Sequence, residues 1–332
     1  MAEADIRPAP DEQVYEYQDD RRACRAARDP VGPPGQLGRQ AARLPVPEPG
    51  HGGDGPPSPA HDLQRRRCRP HADPAELPSL MICALLGVPY EDHDFFQEHA
   101  SFATRSDKTA EQQQTANAAL GGYLARLIQK KTEEPAEDVL SDFAARVKDG
   151  DLTLPEATLL AMILLIAGHE TSATMITLGT ALLLENPEQL ARLQQIDNTT
   201  DAAGAVEEIL RYLTVAQFGQ RRIAREDFEF EGVDIKAGDG IVVPLPAGNW
   251  DPDAFPEPEK LDLTRKATHH HAFGWGIHQC LGQQLARIEL QVVYGTLYRR
   301  IPTLRLAVDR EELTFRPADS LAAGIAALPV TW

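Results

Sequence analysis

Cys280 stands in the run FGWGIHQCLG, Phe273 to Gly282, among the neighbours that a working thiolate needs. Gly276 and Gly282 let the backbone turn sharply and come close to whatever the sulfur binds. Helical periodicity resumes from Gln284, just after the cysteine. The positive end of that helix and its free N–H groups favour an ionised sulfur. Phe273 supplies an apolar shield. The chemistry this suggests is metal ligation by a thiolate; the plain alternative is a buried free cysteine in a glycine-rich turn, and the F-x-x-G-x-x-x-C-x-G order argues against it.

Three other groups could do chemistry. Glu208 and Arg211 in EEILRY stand at i and i+3, on one helix face; alone they would be a surface ion pair. AGHET, Ala167 to Thr171, lies inside a long apolar helix. Gly168 costs about 1 kcal/mol there against alanine, so a use is expected: a local opening beside which Thr171 could donate a hydrogen bond and Glu170 relay protons. The competing account is packing through a small-residue patch, with Thr171 bonding back to a carbonyl one turn earlier. His269, His270 and His271 look like a metal cluster, but successive side chains on a strand point to opposite faces and cannot converge on one ion.

The elements that would position these groups follow from periodicity and punctuation. Leu77 to Leu86 is an apolar run closed by Gly87 and Pro89, a helix with its stop. Ala110 to Lys131 is free of proline and reads as a long helix. Leu154 to Glu185 is longer, with Pro155 in its first turn and Pro187 just past its end. Ala205 to Leu213 is amphipathic. Arg222 to Val243 alternates in short segments around Gly232 and Gly238, as strands and turns do. Gln284 to Arg300 is helical, and Leu304 to Trp332 reads as short strands. The fold class is mainly α with a small β-sheet region.

The chain has 332 residues, enough for a sizeable core, and a net charge of −17, which excludes a nucleic-acid footprint. The longest strongly apolar run, Leu159 to Ala167, is too short to cross a bilayer, and MAEADIRPAP lacks the basic start and apolar core of a secretory signal; the reading is cytoplasmic, without membrane. Four cysteines, Cys24, Cys68, Cys83 and Cys280, show no zinc-type spacing. One stretch differs from the rest. Between Tyr17 and Tyr90 there is no aromatic residue, 13 of the 26 prolines fall there, and every basic residue is Arg, since the first Lys is Lys108. Such a segment cannot bury enough apolar area to fold. The domain reading is therefore 1–76, atypical and rich in Pro, Gly and Arg, followed by 77–332.

Taken in order, AGHET, EEILRY, LDLTR and FGWGIHQCLG resemble a bacterial soluble cytochrome P450 of actinomycete type. The resemblance runs from about Leu77 to Trp332 and includes LPSLMICALLGVPYEDHDFF, DPDAFPEPEKLDLTR and LPVTW. It implies a cytochrome P450-like fold, incomplete on its N-terminal side, and haem b ligated by Cys280, with Phe273, Gly276, Gly282, Ala167 and Gly168 near the cofactor. It also implies His278 and Arg222 on the propionates through charge-assisted bonds, and Thr171 with Glu170 as the catalytic pair beside dioxygen. Arg265, fifteen residues before Cys280, would join Glu208 and Arg211 in a buried network fixing the loop. The implied activity is a haem-thiolate monooxygenase, a monomer that inserts one oxygen atom into a small apolar substrate. Its electrons would come from a ferredoxin-type donor with an NAD(P)H-dependent reductase. Substrate contacts are expected along 164–174, 215–218 and 321–324. Trp250 stands where Arg is usual, and Trp275 where His is frequent. Residues 20–73 do not match, and HDLQRRRCRP does not replace the propionate-binding helix expected there. GC-rich codons read out of frame give this composition, so the alternative is an impaired or inert relic.

Overall fold

The computed structural model describes residues 76–104, 109–216, 220–316 and 324–332. The unmatched stretch 20–73, with Cys24 and Cys68, lies outside the described residues, as do 217–218 and 321–323 of two expected substrate-contact segments.

Nine α-helices are described: α1 (Glu76–Leu86), α2 (His93–Thr104), α3 (Ala110–Glu133), α4 (Val139–Asp149), α5 (Leu154–Glu185), α6 (Pro187–Gln194), α7 (Ala203–Leu213), α8 (Leu245–Asn249) and α9 (Gln283–Arg300). Six short strands form three antiparallel pairs. β1 (Gln220–Ile223) pairs with β4 (Gly240–Val243), β2 (Phe228–Phe230) with β3 (Val233–Ile235), and β5 (Arg305–Leu306) with β6 (Val330–Thr331). The mainly helical reading holds.

α5 organises the rest. Thr153 caps it: its hydroxyl accepts from the Glu156 N–H at 3.3 Å while the Glu156 carboxylate accepts from the Thr153 N–H at 2.7 Å, and Pro155 sits in the first turn. Its 32 residues span about 48 Å and serve two separate hydrophobic clusters. Ala157, Ala161 and Leu165 pack with α1, α2, α3 and α4 against Leu86, Phe96, Leu120, Leu124 and Leu140. Met175, Ile176 and Leu183 pack with α7 and α9 against Val206, Ile209, Leu290, Tyr294 and Tyr298. AGHET falls in the interval between the clusters.

By length and composition α5 is apolar enough to cross a membrane, which the sequence reading missed because it looked for an unbroken run. His169, Glu170, Thr171 and Ser172 interrupt the run without making the helix polar overall. In this fold part of its apolar surface fills the two clusters, while Leu159, Leu160 and Ile163 stay exposed.

Close approach, not flexibility, explains two glycines of α5. A Cβ on Gly179 would lie 2.0 Å from the Tyr294 hydroxyl oxygen, and one on Gly168 would lie 2.8 Å from Ile82 Cδ1. At Gly168 the helix is regular; the expected local opening is not present. The missing side chain there makes room for α1.

Candidate functional site

Two consecutive residues of α7 look in different directions and organise everything around Cys280. Glu208 is fully buried. It accepts from Arg211 Nε at 2.8 Å and Nη2 at 2.9 Å, from Arg265 Nε at 3.1 Å and from the Asp262 N–H at 3.1 Å. Arg265 also straps the meander before the Cys loop by donating to the carbonyls of Pro256 (2.6 Å), Glu257 (3.1 Å) and Lys260 (3.1 Å). Arg211, equally buried, donates from Nη1 to the Asn249 carbonyl at 2.8 Å. Asn249, unremarked in the sequence, passes this order on: its amide donates to Thr214 Oγ1 at 2.7 Å and its Oδ1 accepts from the His271 N–H at 2.6 Å. Thr214 holds the end of α7 in the left-handed region, φ 41°, with its hydroxyl donating to the Arg211 carbonyl at 2.9 Å. The predicted trio of Glu208, Arg211 and Arg265 is thus assembled as one network.

Glu207 makes the second network. Arg287 donates to it from Nε at 2.7 Å and Nη2 at 3.1 Å, and the His270 ring nitrogen Nε2 lies 3.1 Å away. Burial pushes the Glu207 pKa up, but the hydrogen bonds from His270 and Arg287 outweigh it, and the net shift is downward. No motif marks this set. Glu207 reads as a duplicate of Glu208, and Arg287 is eighty residues away.

The three histidines diverge, in a turn and not on a strand. His269 Nε2 lies 3.3 Å from the Ala254 carbonyl and its ring stacks on Phe255, with centroids 4.4 Å apart; His270 turns to Glu207; and His271 lies 6.3 Å from the Trp275 ring. Trp250 packs on Tyr212 at 5.1 Å and donates from Nε1 to its carbonyl at 3.2 Å. Trp275 is exposed.

In the Cys280 loop, the Cys280 N–H donates to the Phe273 carbonyl at 2.9 Å, closing the segment that holds Gly276 and His278. Gly274 and Gly276 take φ of 71° and 78°, values that glycine alone adopts freely. The residue Cys280 is exposed to solvent, while packing on its other sides pushes the thiol pKa up. The backbone at Gly282 and Gln283 and the Arg287 charge offset part of this, and the Gln283 N–H donates to the Cys280 carbonyl at 3.4 Å. An added Cβ at Gly276 or Gly282 would meet nothing within 4 Å. An exposed cysteine just before a helix N-terminus and clear space over the flanking glycines fit a flat metal-bearing ring ligated by the thiolate.

The remaining predicted residues sit on their own elements. Ala167 is exposed, and Thr171, one turn on, donates from Oγ1 to the Ala167 carbonyl at 2.8 Å. Glu170 is ion-paired with Arg316. Leu160 and Ile163 continue the exposed face of Ala167 as an apolar stripe, 40% and 53% exposed. Arg222 on β1 donates from Nη1 to the Arg221 carbonyl at 2.7 Å, and His278 is exposed in a short turn. Near Thr171, Glu289 of α9 is buried with both carboxylate oxygens lacking a hydrogen bond from the protein. Burial pushes the acid up to about 7, against a smaller lowering from Ser172.

Known proteins resemble this chain in sequence and in fold. The family model for cytochrome P450 matches residues 90–301. Cytochrome P450 GfsF of Streptomyces halstedii is 51% identical over 258 residues, covering 77% of this chain and 62% of the relative. Pentalenic acid synthase of Streptomyces avermitilis is 48% identical over 257 residues, covering 77% of this chain and 63% of the relative. The crystal structure of GfsF superposes with a TM-score of 0.76 at 48% identity, over 82% of this chain and 70% of that one. That of cytochrome P450 MoxA from Nonomuraea recticatena gives 0.74 at 46% identity, over 82% and 68%. The chain therefore spans under two thirds of the length of these curated relatives, and with half of its residues identical to theirs across the matched part, it belongs to the cytochrome P450 family.

Proposed function

We propose that the chain acts as a haem-thiolate monooxygenase in the cytoplasm, with Cys280 as the iron ligand. The observation that carries this is the Cys280 loop, where an exposed cysteine, pinned by its N–H to the Phe273 carbonyl across Gly274 and Gly276 at φ 71° and 78°, stands just before α9. Haem b would lie over Gly276 and Gly282, shielded by Phe273, with His278 and Arg222 available to its propionates. Bound through a thiolate, such a group favours O–O bond cleavage, so one atom of dioxygen enters an organic substrate.

The chain's own residues would shape the rest. The apolar stripe of Leu160, Ile163 and Ala167 suits a small apolar substrate. Thr171 can turn its hydroxyl from the Ala167 carbonyl toward dioxygen, and Glu170 can deliver protons after parting from Arg316. A ferredoxin-type protein with an NAD(P)H-dependent reductase would supply electrons to what is expected to be a monomer.

Reconstitution with haemin and a carbon monoxide difference spectrum test the ligand. The parent is expected to give the red-shifted band of a thiolate-bound haem, and Cys280→Ser to abolish it; a mutant that keeps the band removes Cys280 from the role. Where turnover occurs, Thr171→Ala is expected to divert electrons from product to peroxide, and unchanged coupling would return AGHET to helix packing.

The second reading is a haem-binding relic without turnover. It is favoured by residues 20–73, whose Pro-, Gly- and Arg-rich sequence offers no match for the propionate-binding helix. Substrate-dependent electron consumption in a chain that shows the thiolate band distinguishes enzyme from relic.

A further inference from the structure

We propose that Arg287 is a positioning residue for the Cys280 thiolate, held by Glu207 as the anchor of a second carboxylate hub; this rests on the reading of Cys280 as the iron ligand. Glu207 is 6% exposed, and the Arg287 side chain is 20% exposed. The guanidinium reaches Glu207 through two bonds, 2.7 and 3.1 Å, a bidentate fork that fixes its plane. A third bond runs from Nη1 to Gln283 Oε1 at 2.9 Å, so Arg287 also grips the residue whose backbone N–H donates to the Cys280 carbonyl at 3.4 Å. So held, it lies over the Phe273 ring, 4.6 Å from the centroid, the geometry of a cation–π contact.

His270 completes the frame from the other side. The Ala272 N–H donates to its Nδ1 at 3.1 Å, so the ring carries its proton on Nε2 and donates it to Glu207 at 3.1 Å. The His270 ring lies 5.8 Å from that of Phe273. Phe273, whose carbonyl accepts the Cys280 N–H, thus has two neighbours tied to one carboxylate.

The charges matter as well as the contacts. Arg287 bears one positive charge close enough to favour the ionised sulfur, and Glu207 neutralises most of it. Removing either charge therefore moves the field at the thiolate in opposite directions. With Glu207→Gln the uncovered cation makes the sulfur a weaker donor, and the haem midpoint potential is expected to rise. With Arg287→Gln the uncovered carboxylate is expected to lower it. Arg287→Lys keeps the charge but not the fork, and is expected to leave the potential near that of the parent while loosening the loop.

The experiment reads two signals on the full chain. Hydrogen exchange at the Cys280 amide, followed without haem, is expected to speed up about tenfold or more in Glu207→Gln and Arg287→Gln, a modest share of what a stranded buried charge costs. Unchanged exchange overturns the hub. Midpoint potentials after haemin reconstitution are expected to shift with opposite signs; shifts of one sign in both variants, or none, overturn the positioning role and leave a purely structural contact. Should Glu207→Gln not fold, the comparison of Arg287→Gln with Arg287→Lys decides in the same way. Because exchange is measured without haem, failure of the hub is distinct from failure of the ligand reading, which Cys280→Ser reports.

Discussion

Glu208 meets two guanidinium groups and a backbone amide inside a site closed to water, so its loss leaves Arg211 charged, buried and underpaired. Glu208→Ala is expected to destabilise the fold by roughly 3–5 kcal/mol, measured by urea denaturation. A value under about 1 kcal/mol would place the network among weak surface pairs. Glu289 behaves in the opposite sense. Its pKa rises from 4.5 unfolded to about 7 folded, so the folded state binds the extra proton between those values. Its contribution is intact below pH 4.5 and is lost as pH rises toward about 7, on the order of 3 kcal/mol in all. In Glu289→Gln that part of the decline in stability is expected to vanish, as denaturation midpoints at pH 5 and pH 8 would reveal. At this scale, spacing made Glu208, Arg211 and Cys280 legible, and the resemblance added Arg265. The hub of Glu207, His270 and Arg287 was illegible because Glu207 lies 63 and 80 residues before its two partners and each, read alone, is an ordinary charged or loop residue.

α5 shows what periodicity can and cannot carry. Its bounds were readable from Pro155, Glu156 and Pro187. The same Pro187 that ends α5 also opens α6, and α6, at eight residues, was too short for a periodic signal. α2 and α4 were missed for a related reason: α4 buries little more than Val139, Leu140 and Ala144, and its stability comes from packing rather than pattern. Gly179 joins α5 to α9. Gly179→Ala gains about 1 kcal/mol of helix propensity but drives a methyl into a rigid phenol, with Tyr294 Cζ 2.7 Å away. Net destabilisation of roughly 1–3 kcal/mol is expected. Tyr294→Phe removes the nearer oxygen and is expected to recover part of it, so a double-mutant cycle showing no coupling would refute the contact.

Over the whole molecule, large apolar side chains remain open to water: Phe230 at 63% exposure and Val233 at 61% on one hairpin, Val242 at 58% on another strand, and Ile277 at 86% and Leu281 at 73% beside Cys280. Exposed apolar surface of this kind favours association. Concentration-dependent aggregation is expected in light scattering and should fall in a Phe230→Lys, Val242→Lys variant; equal scattering would clear these strands. The unmatched residues 20–73 bear on the same question. We read them as an out-of-frame passage, and the nucleotide sequence checks this. Another frame should encode aromatic and apolar residues at helical spacing, with a His or Arg pair suited to propionates, and if neither does, the idea fails.

The contact between α5 and α9 also gives the protein an internal clock. Tyr294 donates to the Met175 carbonyl at 2.6 Å, Tyr298 bonds Thr180 at 3.3 Å, and burial holds both phenols protonated far into the alkaline range. Burial disfavours release of either proton while the two helices stay together. After a jump to high pH, the tyrosinate absorbance of exposed phenols should appear at once. That of these two should follow only as fast as the helices part, so the lag between the two phases times the opening of the core.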